Sequence, residues 1–218
     1  MNTPILYSFR RCPYAMRARM ALKLANLKCE LREVELKNKP EEMLQISPKG
    51  TVPILVLDDV ILDESNDIIH WVISNNPNIL MSLDDEQTQQ TSKLVDLFDT
   101  EFKYHLDRYK YHQRYGSIAT EHREKCDDIL YLLDQKISKD GWIFSDEISL
   151  LDISILPFIR QFKIADEGYF YSQNYQKVIN LLKRFESSEL FESIMHKYEP
   201  WQANQAEQTI FPLSLIHI

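Results

Sequence analysis

Of the three cysteines in this 218-residue chain, Cys12, Cys29 and Cys126, the first stands where a thiol can do chemistry. It lies in YSFRRCPYAMRARMALKLA (residues 7–25), between the apolar run Ile5-Leu6-Tyr7 and a stretch of Ala, Met, Arg and Leu, all good helix formers. Pro13 occupies the first-turn position that proline favours. Cys12 is therefore expected at a helix N-terminus, facing unpaired backbone N–H groups and the positive end of the helix dipole, with Arg10 and Arg11 beside it. Each of these features stabilises a thiolate, and thiols so placed titrate anywhere from roughly 3.5 to 7.5 instead of about 8.5. The competing reading is a small apolar filler, a common fate of free cysteine. Cys29 falls in a strand pattern, and Cys126 joins an apolar helical stripe with Ile129, Leu130, Leu133 and Ile137, so both read as core.

The elements that must position Cys12 are short and alternate in type. Residues 3–8 read as a strand, 13–26 as a helix and Cys29 to Leu36 as a second strand. A polar connection with a short helix near 41–46 leads to a strand at Ile54–Leu57. A tight turn at Asp58-Asp59 and a hairpin partner at 60–62 follow. Asp63 to Asp67 opens a helix reaching about Ser74, with Glu64 or Ser65 in its cap region. Strand–helix–strand implies a parallel pair with a right-handed crossover, and the hairpin makes the sheet mixed. Asn75 to Gln90 is polar, carries a proline and lacks sustained periodicity. Thereafter the pattern is helical. Leu94, Leu97, Phe98, Phe102, Leu106 and Tyr109 form one stripe, and Ser149-Leu150-Leu151-Asp152 has the form of a capping box before an apolar helix that Pro157 should bend. From Glu199 the tail reads as irregular, with Trp201, Ile210 and Phe211 packed back on the surface. The expected division is an α/β domain over 1–76, a linker over 77–90 and an all-helical domain over 91–218.

The totals exclude several classes. A net charge of −8 argues against non-specific nucleic-acid binding and against anionic membrane surfaces. No apolar run approaches the roughly 20 residues of a spanning helix, and the N-terminus lacks the basic-then-apolar form of a signal peptide. Three widely spaced cysteines fit a reducing cytoplasm better than a disulfide framework. No CxxC or HExxH spacing occurs, so a metal site is not expected.

The N-terminal motifs resemble those of glutathione transferases. YSFRRCPYAMR looks like the Cys-Pro-Phe-Ala region of the omega class. The segment from Leu36 to Glu41 resembles its lysine-bearing connection, Ser47 to Leu55 its Val-Pro segment, and Asp63 to Ile68 its Glu-Ser helix start. Four motifs in order make the signal specific over residues 5–75. The C-terminal half matches less sharply and is closer to uncharacterised bacterial relatives of the family. The resemblance implies a thioredoxin-like domain followed by a helical bundle, and glutathione as co-substrate. It implies that Val52, beside Pro53, pairs strand-like with the cysteinyl part of glutathione, that Ser65 takes the γ-glutamyl carboxylate with Glu64 facing the ammonium, and that Lys39 pairs with the glycyl carboxylate. Without the resemblance these are a strand-entry proline, an ordinary helix cap and a solvated lysine.

Under that alignment Cys12 is the catalytic residue. The resemblance implies thioltransferase and dehydroascorbate reductase activity on a glutathionylated disulfide or a small-molecule electrophile. With Ala15 three residues after Cys12, a dithiol cycle in this loop is excluded and a monothiol cycle remains. Two alternatives stay open. Tyr7 or Ser8 could activate glutathione for conjugation, with Cys12 incidental. Alternatively, the fold could serve as a non-enzymatic partner-binding module, a reading that intact Cys12, Lys39, Val52-Pro53 and Glu64-Ser65 argue against. A second-substrate pocket is expected between the domains. Tyr104, Arg108, Tyr109 and Tyr111, on the expected helix over 94–113, are as readily surface cover as pocket lining. Assembly as a homodimer is expected by analogy with the family alone.

Overall fold

The computed structural model describes residues 2–138, 141–203, 205 and 207–213. The chain divides into two compact units: Met1–Ile79 together with Ser188–Ile218, and Leu80–Ser187. The first unit thus takes in the C-terminal segment as well as the N-terminal α/β elements.

In the first unit β1 (Ile5–Ser8), α1 (Pro13–Leu24), β2 (Cys29–Glu33), α2 (Glu41–Ile46), β3 (Ile54–Val56), β4 (Ile61–Leu62) and α3 (Ser65–Asn75) follow in order. They are joined by α11 (Glu189–Ile194) and β5 (Ile210–Phe211). The sheet runs β4-β3-β1-β2-β5. β1 and β2 are parallel, with Ser8 opposite Glu33, while β3 lies antiparallel on the other side of β1 with Leu6 opposite Leu55. This is the mixed sheet expected from the order of the elements, and the thioredoxin-like domain that the resemblance implies. The second strand is shorter than its apolar pattern, because Glu35 and Asn38 close a bridge of their own. The hairpin turn at Asp58-Asp59 closes through Leu57 N–H donating to Val60 O at 2.9 Å.

Tyr7, Ala15, Val34, Met43, Val52 and Ile54 form a buried cluster in this unit, with Phe9 and Cys12 packed against it. Burying such a side chain contributes roughly 1.5–3 kcal/mol, enough to hold the Cys12 and Val52 loops against one another. α1 packs against α3 and α11.

The described part of the tail, which reads as irregular in sequence, is tied to β2. Trp201 N–H donates to Glu33 O at 2.8 Å, Leu31 N–H to Thr209 O at 2.7 Å, and β5 pairs antiparallel with β2 through Cys29–Phe211 and Glu30–Ile210. A two-residue strand has no periodicity to read, and its partner lies some 180 positions earlier, so only the open edge of β2 could specify it. That pairing covers an edge which would otherwise expose unpaired backbone groups.

The second unit is helical: α4 (Asp85–Leu97), a π-helical turn (Phe98–Phe102), α5 (Lys103–Lys110), α6 (His112–Tyr115), α7 (Ala119–Asp134), α8 (Leu150–Ala165), α9 (Glu167–Tyr171) and α10 (Gln176–Glu186). α4 begins inside the stretch expected as linker, where Asp84 and Gln87 form a reciprocal capping box. The expected helix over 94–113 is interrupted by the π turn, which lets Phe98 and Phe102 stack at 4.4 Å in the core. The capping box that opens α8 is present in both directions. Ser149 accepts from Asp152 N–H, and the Asp152 carboxylate accepts from Ser149 N–H at 2.8 Å. α8 is buried along most of its length and carries Pro157 inside it.

Candidate active site

Cys12 is the N-cap of α1, in extended backbone at φ −74° and ψ 123°, with Pro13 at the first helical position. Its N–H donates to Phe9 O at 3.0 Å, closing the loop, and its C=O accepts from Met16 N–H at 2.9 Å. The side chain is half-buried. Its Sγ lies 3.6 Å from Val52 O, a contact in which the thiol donates. The sulfur therefore sits between a helix N-terminus, which favours the thiolate, and a carbonyl, which favours the thiol. Cys29 and Cys126 are fully buried, and burial pushes the Cys29 thiol up to about 12 and the Cys126 thiol higher still. Cys12 alone is accessible.

The two residues around the tight approach to Cys12 are Val52, buried in the same cluster, and Pro53; the Val52–Pro53 bond is cis. Gly50, at φ +61°, turns the chain just before them, and a side chain there would meet Leu44 at 3.1 Å and the Lys39 amine at 3.3 Å. The positive φ favours glycine, and any other side chain would have to displace the ends of Leu44 and Lys39. Lys39 therefore lies over the turn that leads into the Val52 segment, with its amine close to the backbone.

At the start of α3, Glu64 is the N-cap and makes no side-chain cap bond. Ser65 is the first helical residue and is buried. Its hydroxyl accepts from Arg17 Nη1 at 3.4 Å, and Asn66 Oδ1 accepts from the same nitrogen at 3.5 Å. The ordinary capping role is thus not what Ser65 performs. The Glu64 carboxylate, exposed, accepts from Lys49 Nζ at 2.7 Å; the same amine reaches Asp63 at 3.2 Å. The Ser47 hydroxyl, ahead of Lys49, holds the Asp63 carboxyl below its usual range, while the Glu64 and Asp63 carboxylates push the Lys49 amine up. The corner therefore sets the N-terminus of α3, which the Glu64 side chain does not cap, over a buried guanidinium beside two carboxylates, a mixed set suited to a zwitterion.

Three residues of this site were not singled out from sequence. Lys49 lies within a quoted motif, but its pairing with Glu64 crosses fifteen positions. Arg17 and Arg19 are the two largest fully buried side chains among the described residues. Charged residues on a helix ordinarily read as a solvated face. The available signal was spacing: Arg19 is seven residues, two helical turns, after Cys12 and so shares its face. Arg10, expected to bias the thiol, instead directs its guanidinium to Met195 O at 3.2 Å. Tyr7 is buried, its hydroxyl accepts from Arg32 Nη1 at 2.7 Å, and burial pushes its pKa up. Ser8 is fully buried, and its hydroxyl has no hydrogen-bond partner among the described residues.

Residues 6–79 match the model of the glutathione S-transferase N-terminal domain. Glutathione transferases are what the chain is similar to, in this domain and along most of its length. Glutathione S-transferase L1 of Arabidopsis thaliana is 27% identical over 176 residues, 78% of this chain and 71% of that protein. Glutathione transferase Omega 3C from Trametes versicolor shares the fold with a TM-score of 0.75 at 19% identity, over 93% of this chain and 87% of that one. A glutathione transferase family member from Pseudomonas fluorescens, solved with two glutathione molecules bound, superposes with a TM-score of 0.76 at 16% identity, over 88% and 92% of the two chains.

Proposed function

We propose that this protein is a glutathione-dependent thiol transferase with Cys12 as its nucleophile. The observation that carries the reading is the half-buried sulfur at the N-terminus of α1, the one accessible thiol of the chain. The Cys12 thiolate attacks the glutathionyl sulfur of a mixed disulfide. A Cys12–glutathione S–S bond forms, the original S–S bond breaks, and the acceptor leaves as a thiolate that takes a proton from water. A second glutathione, as its thiolate, attacks the glutathionyl sulfur on Cys12, releasing oxidised glutathione and restoring the Cys12 thiolate. The net change is reduction of the mixed disulfide by one glutathione. Reduction of dehydroascorbate uses the same sulfur and consumes two glutathiones. Turnover needs a supply of reduced glutathione, consistent with the cytoplasmic setting expected from cysteine usage.

In this reading glutathione lies along the Val52–Pro53 segment, with its cysteinyl sulfur toward Cys12. The backbone N–H and hydroxyl of Ser65 receive the γ-glutamyl carboxylate, Glu64 exchanges Lys49 for the ligand's ammonium, and Lys39 takes the glycyl carboxylate. Conjugation activated by Tyr7 or Ser8 is disfavoured: one hydroxyl is engaged by Arg32 and the other is buried. The test is Cys12→Ala in a mixed-disulfide reduction assay, with intact-mass spectrometry after oxidised glutathione. The expected result is one glutathione adduct on the wild type, none on the variant, and loss of turnover. Undiminished turnover in Cys12→Ala would refute the mechanism.

A further inference from the structure

We propose that Arg19, with Glu33 as its counter-ion, is the positioning residue for Cys12: it holds the Cys12 loop from beneath and supplies the positive field that keeps the sulfur ionised. The inference rests on the thiolate reading of Cys12 given above. Arg19 is fully buried on α1. Its Nη2 donates to Phe9 O at 3.3 Å, the same carbonyl that accepts Cys12 N–H at 3.0 Å. One oxygen of Glu33, on β2, lies 3.6 Å from Arg19 Nη1, and the other accepts Arg10 N–H at 2.7 Å. Both ends of the loop, Phe9-Arg10 and Cys12, are thus tied to one buried ion pair.

The pair is not a balanced one. The 3.6 Å approach of Nη1 to Glu33 exceeds a hydrogen bond, and neither Nε nor Nη1 of Arg19 has a hydrogen-bond partner among the described residues. A buried guanidinium left this incompletely satisfied costs stability, and an anion at Cys12 offsets that cost. Burial pulls the Arg19 pKa down to about 10, while Glu33, the Cys12 sulfur and Tyr198 push it back up. Burial pushes the Glu33 carboxyl up, opposed by Arg10 and Arg19. The charged and titratable groups around the pair are therefore Cys12 and Arg10 in the loop, Glu33 on β2 and Tyr198 in the tail, with Arg11 next to Cys12 in sequence.

A purely structural pair and an electrostatic one predict different signs. The experiment is the pH dependence of Cys12 alkylation by iodoacetamide in the full chain, with Cys12→Ser as the blank. Arg19→Met removes the cation; the midpoint is expected to rise by about one pH unit. Well below the midpoint the alkylation rate then falls about threefold, because roughly tenfold less thiolate is partly offset by its greater nucleophilicity. Glu33→Gln keeps an acceptor for Arg10 N–H and removes the opposing anion, so the midpoint is expected to fall. Arg19→Lys keeps the charge and should titrate near wild type. Midpoints that move the same way in Arg19→Met and Glu33→Gln, or not at all, overturn the proposal while a depressed wild-type midpoint leaves the Cys12 reading standing. Should Arg19→Met fail to fold, a raised or unchanged midpoint in Glu33→Gln overturns it alone. A wild-type midpoint at the ordinary value of about 8.5 sinks both.

Discussion

Replacing Asp152 by alanine perturbs the second unit at its most constrained polar group. Asp152 is fully buried at the third position of α8. One carboxylate oxygen accepts Ile143 N–H at 2.9 Å; the other accepts Ser149 N–H at 2.8 Å and the Ser149 hydroxyl at 2.5 Å. Burial pushes its pKa up, opposed first by the Ser149 hydroxyl and then by the backbone donors. Alanine leaves two backbone donors without acceptors, each worth roughly 1–3 kcal/mol when buried, and removes half of a capping box worth about 1 kcal/mol. Allowing for non-additivity within one network, the loss is about 3–5 kcal/mol. For a chain of this length that is a fall in Tm of roughly 6–20 °C. Asp152→Asn keeps an acceptor for Ile143 but turns an amide donor toward Ser149 N–H, so it should fall between alanine and wild type. Ser149→Ala should lose only about 1 kcal/mol. Urea unfolding followed by far-UV circular dichroism measures these losses. Phe9, Met16 and Val52, the hydrogen-bond partners of Cys12 given above, belong to the first unit, so alkylation of Cys12 in the folded variant should keep the wild-type rate. A loss below about 1 kcal/mol in Asp152→Ala would refute the reasoning, because two orphaned buried amides cannot cost so little.

Ser65→Ala should lower glutathione affinity about tenfold, the equivalent of one hydrogen bond to a charged group at about 1.4 kcal/mol; titration calorimetry with glutathione checks this, and an unchanged Kd would remove Ser65 from the binding reading. A pH effect is expected in the second unit, where His105 and His122 approach through their Nδ1 atoms at 2.7 Å. Burial, then His122, holds His105 below its usual pKa, with Glu101 opposing and Lys125 and Arg108 adding to the shift. The unfolded chain therefore binds more protons at this site as pH drops below about 6.5, so the stabilising contribution is present above that value and is lost as pH falls through the depressed folded value. Melting temperatures should decline on acidification through this range, and His105→Gln should flatten that part of the profile; identical slopes in the two proteins would count against it.

What could be read from sequence was local, and what could not was paired across distance. Cys12 at a helix start follows from proline and helix formers within a few residues, and the α8 capping box from four consecutive positions. Both are contacts between near neighbours. The Glu33–Arg19 pair depends on the parallel β1–β2 register, which sets Glu33 opposite Ser8 just before the Cys12 loop; spacing within α1 can place Arg19 on the Cys12 face, but nothing in α1 names Glu33 as its partner. β5 is further still from legibility, since its pairing partner is the edge of β2 and not a feature of its own residues. The same distinction bears on how the site is held. Phe9 O receives both Cys12 N–H and Arg19 Nη2, Glu33 receives Arg10 N–H, and Glu33 O receives Trp201 N–H from the tail. The loop that carries the sulfur is therefore fixed by β2, by α1 and, through β2, by the C-terminal segment. A thiol on a loop held from three sides meets its disulfide in one geometry, and orientation of that kind is a large part of what a protein adds to a thiol exchange that runs slowly in water.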